Sequence, residues 1–155
     1  MIELGRACVH ADHRNFNLLH LLWRGIAVYA TERKARYLIG CSSVASQDPI
    51  EGLAVYERLR KRHLVRAEWR TMPHPAFTVA GGGDAGFFRD NAPRRPGTSP
   101  PATAGPSSKL LRAYLAIGAK ICGPPAIDRE FSTIDFLTLL DLHKLPAIVR
   151  AHFLR

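Results

Sequence analysis

Strand, turn and helix follow one another within the first two dozen residues, and this opening limits the fold more than any other stretch. Ile2, Leu4, Ala7 and Val9 are the apolar positions of a strand read as far as His10, interrupted by the charged Glu3 and Arg6. Ala11-Asp-His-Arg-Asn15 supplies capping residues, and from Phe16 to about Ala35 the residues Leu18, Leu22, Trp23, Ile26, Ala27 and Ala30 recur at helical spacing. A helix that leaves a strand so directly packs on the sheet, with its N-terminus facing the strand end. Its first turn offers unpaired N–H groups and the positive end of the helix dipole, which suit a phosphate. An ordinary capped helix fits the same residues, so geometry alone does not choose.

The rest of the chain continues the alternation. Arg36-Tyr-Leu-Ile-Gly-Cys-Ser-Ser-Val44 is a compact apolar run ending in small and hydroxylated residues, expected to be a buried strand whose C-terminal end opens into a site. Asp48-Pro-Ile-Glu51 starts a second helix that runs to about His63, with Asp48 as cap, Pro49 in the first turn and Glu51 completing a capping pattern. Ala67 to Pro75 reads as a short strand ended by prolines. From about Gly81 to Ser108 the composition turns to Gly, Pro and Ser, which cannot bury enough apolar area to order itself, and a mobile loop is expected. Its Phe87-Phe88 pair could touch the body of the protein or a lipid. Leu110 to Ala119 reads as a short helix ending near Gly118, Lys120 to Asp128 as a strand and tight turn, and Arg129 to Leu140 as a polar turn that becomes a strongly apolar strand. Leu145 to Leu154 closes the chain as a short helix with Pro146 in its first turn.

With 155 residues, 46% of them hydrophobic, the chain can bury a single core, and a single domain over 1–155 is expected. No apolar run reaches eighteen residues, and Glu3 and Arg6 break any signal-peptide pattern, so the expected location is cytoplasmic. Cys8, Cys41 and Cys122 are too far apart for a metal or disulfide motif and read as buried reduced thiols; the seven histidines form no ligand pair, and no metal is expected. The net charge of +9 calls for an acidic partner: nucleic acid, anionic lipid or an acidic carrier protein. The densest basic run, Arg58-Leu-Arg-Lys-Arg-His63, has no interleaved aromatics for base stacking, which disfavours nucleic acid; a solvated helix face explains the run as well.

Both ends of the chain also resemble a known family. Glu3-Leu-Gly-Arg-Ala-Cys-Val-His10, Arg14-Asn15, Leu22-Trp-Arg-Gly-Ile26 and Tyr37-Leu-Ile-Gly-Cys-Ser42 are similar to the ornithine-acyl-carrier-protein N-acyltransferases that make lyso-ornithine lipid. So are Leu110 to Ala119, Ile121-Cys-Gly-Pro-Pro-Ala-Ile-Asp128 and Phe131-Ser-Thr-Ile-Asp-Phe136. The resemblance implies an α/β (α+β) GNAT-like fold, a mixed sheet flanked by helices, related to acyl-homoserine-lactone and N-acyl amino acid synthases. It implies transfer of a fatty acyl chain from the phosphopantetheine thioester of acyl carrier protein to the α-amine of an amino acid, ornithine first, with no bound cofactor. Glycine, tyrosine or homoserine are alternative acceptors, and a non-catalytic module that binds carrier protein or an anionic surface is the alternative class.

The amine must lose a proton as it attacks, and the oxyanion needs a donor. The resemblance points to Glu3 and Arg6 as the catalytic pair, with Glu3 orienting or deprotonating the amine and Arg6 holding a carboxylate; a structural ion pair accounts for them equally. Arg14 and Asn15 would meet the phosphate of the pantetheine arm, and Cys41 and Ser42 would end the strand beside that arm. Cys41 reads as a packing thiol ahead of a nucleophile, because direct transfer needs no covalent intermediate. Asp128, Thr133 and Asp135 are the acceptor candidates, and turn capping explains them about as well.

The family's domain begins upstream of the strand that holds Glu3, so the chain is expected to be partial at its N-terminus, with a sheet edge open to self-association or to a partner chain. His13 stands where the family tends to have an aromatic residue, and the Gly/Pro-rich loop is longer than expected. Acyl carrier protein, the amino acid and peripheral contact with the inner face of the cytoplasmic membrane are the implied partners.

Overall fold

Two long strands, β2 (Tyr37–Val44) and β5 (Thr133–Asp141), run antiparallel through the middle of the sheet and pair without a break from Tyr37 opposite Asp141 to Val44 opposite Ile134. The computed structural model describes residues 1–5, 9–13, 16–79 and 108–153. A short strand β1 (Ile2–Glu3) lies parallel to β2 on one side. On the other side β3 (Lys120–Ile121) and β4 (Ala126–Asp128) pair antiparallel with β5. The expected α/β class is therefore present, with a mixed sheet and four α-helices among the described residues.

The strand read as far as His10 pairs only through Ile2 and Glu3, followed by a Leu4 N–H that donates to the Ile39 carbonyl (2.7 Å). Arg6, Ala7 and Cys8 lie outside the described residues. Helix α1 (Phe16–Glu32) crosses from β1 to β2, as parallel neighbours require. It ends at Lys34, which adopts a positive φ of 50°, while the Ala35 N–H reaches the Ala30 carbonyl and the Lys34 N–H the Thr31 carbonyl. Glycine normally holds that left-handed position. Gly118 does so at the end of α3 (Lys109–Ala116), with φ of 105° and the same pair of bonds, from Ala119 to Tyr114 and from Gly118 to Leu115.

Helix α2 (Pro49–His63) starts as its sequence dictates: Asp48 accepts from the Ile50 N–H (2.9 Å) and Pro49 fills the first turn. Glu51 does not close a capping box. Its carboxylate accepts from the Ser46 hydroxyl (2.6 Å), and that hydroxyl in turn accepts from the Asp48 N–H (3.1 Å).

Strand periodicity sorts the core. Leu38, Val44, Ile134, Phe136 and Leu140 sit at even positions and are all buried, packed under α1, α2, α3 and α4 (Ala147–Phe153) in two clusters. The odd positions Tyr37, Ile39, Leu137 and Leu139 face the other way and meet Val65 and Cys122. That second face is covered in part by the segment after α2. The Val65 N–H bonds the Ile121 carbonyl, the Thr71 N–H bonds the Cys122 carbonyl (2.9 Å), and Trp69 packs on Tyr37 at 4.9 Å.

This segment corrects the strand expected over Ala67 to Pro75. Ala67–Trp69 and Pro75–Phe77 are 3₁₀ turns, and between them the Thr71 N–H donates to the Cys122 carbonyl just before the Gly123-Pro-Pro125 stretch that separates β3 from β4. A Cβ on Gly123 would lie 2.0 Å from the Thr71 carbonyl oxygen, so only glycine lets the strap close. The final helix matches its expected place, with Arg150 N–H on the Pro146 carbonyl; the loop expected over 81–108 falls almost wholly outside the described residues, as do Phe87 and Phe88.

Arg36 closes the far end of the β2–β5 ladder with two bonds to Asp141 (3.2 and 3.0 Å). Burial alone would raise the Asp141 carboxyl, but the Arg36 guanidinium, the His143 N–H and nearby Lys144 hold it below the usual range. A carboxyl lowered by folding stabilises the fold above its unfolded pKa, and that contribution is lost as pH falls through the folded value. Asp141→Asn is therefore expected to lower the melting midpoint slightly at neutral pH, with the difference from wild type closing in acid scans below the ordinary carboxylate range. Lys34→Gly should raise stability by roughly 0.5–1 kcal/mol, read by urea titration, since it removes the left-handed strain on a side-chain-bearing residue.

Candidate active site

The odd face of the sheet changes from apolar to polar along its length. Past the cover of Val65 to Trp69 it carries Cys41 and Ser43 on β2, Asp135 and Thr133 on β5, Asp128 on β4, and Glu3 at the edge on β1 beside Ile39. Ser43 stands directly opposite Asp135, and Asp128 opposite Thr133, so these side chains rise from neighbouring points on a rigid ladder. Glu3, Cys41 and the acceptor candidates Asp128, Thr133 and Asp135 thereby share this face.

Their electrostatics show the convergence. The Cys41 thiol is pushed up first by partial desolvation, then by the negative charges of Asp135, Glu3 and Asp128. A thiol held protonated in this way is a poor nucleophile, which agrees with a non-covalent role. It is not, however, the buried thiol expected: Cys41 is exposed, whereas Cys122 is buried and lifted to about 11, mainly by desolvation. Cys8 lies outside the described residues.

Asp135 and Asp128 differ in occupation. One Asp135 oxygen, Oδ1, is buried with no hydrogen-bond partner among the described residues. Asp128 Oδ1 already accepts from the Phe131 N–H (2.9 Å), capping the turn into β5. Gln47, which the sequence did not mark, fixes this end of the sheet by donating to the carbonyls of Asp128 (2.9 Å) and Thr133 (3.4 Å).

Ser42 departs from expectation. Neither it nor Cys41 ends the strand, which continues to Val44, and period-two alternation sends Ser42 to the opposite face from Cys41. There it is 1% exposed and its hydroxyl meets that of Thr138 (3.2 Å), which donates to the Gly40 carbonyl (2.8 Å). Its polar atom is satisfied within the core. Arg6, Arg14 and Asn15 lie outside the described residues, and with them the anion site expected at the start of α1. Among the described residues no three His, Cys, Asp or Glu side chains are grouped to hold a metal ion.

On the helical side of the same two strands, towards their Tyr37–Asp141 end, lies an apolar cavity of about 150 Å³. Leu38 and Leu140 form its floor, Trp23 and Ile26 of α1 one wall, and Tyr114 of α3 and Val149 of α4 the others. Trp23 and Tyr114 meet edge to face at 5.2 Å. Leu110, which also lines it, is 41% exposed, so the cavity has an outlet at the start of α3. Nothing in the local sequence pattern marks a cavity, because its residues come from three helices and two strands far apart in the chain.

The basic run lies at the C-terminal end of α2, where positive charge complements the helix dipole. Arg58, Arg60, Lys61 and Arg62 are exposed, Arg60 pairs with Glu57 (2.9 Å), and Lys120 donates to the Arg62 carbonyl. His63 is pushed down by desolvation and then by Lys120 and Arg62, so it adds no charge to this patch near neutral pH.

The chain is similar over 93% of its length to the L-ornithine N(alpha)-acyltransferase of Rhizobium meliloti, at 26% identity. Over its whole length it is 25% identical to the enzyme of the same name from Rhodobacter capsulatus, and over 95% it is 24% identical to that of Brucella abortus. It spans about half the length of these curated relatives, 46%, 56% and 49% respectively. No family model and no solved structure matches it. The resemblance carried by the two end blocks is thus met by relatives that cover nearly all of the chain.

If the carboxylates act on Cys41 as described, its thiol will alkylate more slowly with iodoacetamide at pH 8 than a free cysteine does, despite its exposure. Asp135→Asn should then speed alkylation by roughly two- to threefold, measured by mass spectrometry of the Cys41 peptide.

Proposed function

We propose that this chain, a relative of the L-ornithine N(alpha)-acyltransferases, takes part in moving a fatty acyl group from the thioester of acyl carrier protein to the α-amine of an amino acid, ornithine before others. The carrying observation is the buried Asp135 oxygen, without a hydrogen-bond partner among the described residues, within a set of carboxylates facing Cys41. A buried acceptor without a donor is costly, and an ammonium ion supplies both charge and N–H donors.

In this reading Asp135 holds the amine of the acceptor, with the Asp128 and Glu3 charges adding to the attraction. Glu3, exposed at the sheet edge, takes one ammonium proton through water, and the freed amine then attacks the thioester carbonyl carbon and passes its second proton to the leaving sulfur. The N–C bond forms, the C–S bond breaks, and the pantetheine thiol leaves with a proton. Arg6 is assigned to the acceptor carboxylate, and Arg14 and Asn15 at the start of α1 to the phosphate of the arm. Ornithine carries one more positive charge than glycine, tyrosine or homoserine, so a site rimmed by carboxylates favours it. Arg58, Lys61 and Arg62 on α2 offer an acidic carrier protein its docking surface.

The test mixes the purified chain with long-chain acyl carrier protein and a pool of amino acids including ornithine, with mass spectrometry of the products. N-acyl-ornithine as the main product is expected, and Asp135→Asn should lower kcat/KM for ornithine by about 10- to 100-fold. The absence of any N-acyl amino acid, while a full-length relative is active in the same mixture, would overturn the reading for this chain.

A further inference from the structure

Helices α1, α3 and α4 pack together against the even face of the sheet, and their outer sides carry exposed apolar residues. Helix α1 buries Trp23, Ile26, Ala27 and Ala30, yet its opposite side presents Leu21 at 58% and Val28 at 54% exposure, seven residues apart with Gly25 between. Leu22 and Tyr29 flank them at 42% and 48%. The neighbouring helices add Leu110 at 41% and Ile148 at 81%. A helix that is apolar on both sides expects an apolar neighbour beyond the core.

Charge identifies the neighbour. The described charges on α1, α3 and α4 are Arg24, Lys109, Arg112 and Arg150 against the single acidic Glu32. Arg33, just past α1, lies over the Tyr29 ring at 5.3 Å, its stem along apolar surface and its charge at the rim. An apolar stripe on helices whose cations outnumber the single carboxylate of Glu32, which lies on the same face one turn beyond Val28 at the end of α1, is complementary to an anionic lipid surface, where each Lys or Arg near the headgroups adds about 1 kcal/mol. None of these helices is long and apolar enough to span a bilayer, so the fit is to its face.

We propose that the outer side of α1, with the adjoining ends of α3 and α4, is a docking surface for an anionic membrane, lying in the interface with Leu21, Val28 and Ile148 among the acyl chains. The surface is independent of the basic end of α2 and is argued without the acyl-transfer reading. Leu110 both lines the apolar cavity and is exposed on this layer, so docking would open the cavity towards lipid.

Sedimentation with vesicles tests it. The chain should pellet with vesicles of equal parts phosphatidylglycerol and phosphatidylcholine and stay in solution with phosphatidylcholine alone. Leu21→Glu with Val28→Glu should reduce the bound fraction at least about tenfold, with the circular dichroism spectrum kept, whereas Arg58→Glu with Lys61→Glu should leave it unchanged. Three results would overturn the proposal. One is equal binding to both vesicles, another is loss of binding in the α2 variant alone. The third is a Leu21/Val28 variant that still binds vesicles but no longer self-associates, which would make the layer an interface between copies of the chain.

Discussion

The antiparallel ladder between β2 and β5 is the constraint on which the rest depends. Its eight opposed pairs fix which side chains point to each face, and a slip by a single residue would exchange the faces completely. Even positions then carry Phe136, Ile134 and Leu140 into the helical core, and odd positions carry Cys41, Ser43 and Asp135 out of it. The Arg36–Asp141 pair pins one end of the register, and Gln47 reaches across to the carbonyls at the other.

The same alternation explains how a polar group and an apolar cavity share two strands. The ladder is a wall one backbone thick. Cys41, Ser43 and Asp135 stand on one side towards one end, while Leu38 and Leu140 on the other line an apolar cavity towards the opposite end, so neither environment has to adapt to the other. Ser42 and Thr138 are the exception on the dry side, and they satisfy each other and the Gly40 carbonyl there at no cost in unpaired groups.

Much of this was legible beforehand where local chemistry decides the outcome. Asp48-Pro49 began α2, Gly118 ended α3, and the apolar runs at Tyr37 and Ile134 became the central strands. Local chemistry failed where a distant partner decides. Ala67 to Pro75 has the composition of a strand but folds into 3₁₀ turns around the close approach of Thr71 to Gly123, and Lys34 ends α1 in a conformation that its residue type disfavours. Glu3, Cys41, Asp128 and Asp135 could be named from the sequence. Their sharing of a face could not, because it follows from the pairing register. Ser42 was grouped with Cys41 by adjacency, and adjacency in a strand means opposite sides.

Ser42 and Thr138 are 96 residues apart, so the centre of the sheet joins two regions separated by most of the chain. Closing a loop of that length costs on the order of 4 kcal/mol in chain entropy before any contact repays it. The hairpin that brings Asp128 opposite Thr133 turns within a handful of residues and has almost no such cost. Assembly is therefore expected to run from the C-terminal hairpin outwards, with β2 arriving late and the two-sided wall appearing only at that final step, and high contact order makes such assembly slow. The feature that lets a single pair of strands serve two environments also makes the chain's folding rate sensitive to whatever holds its ends together.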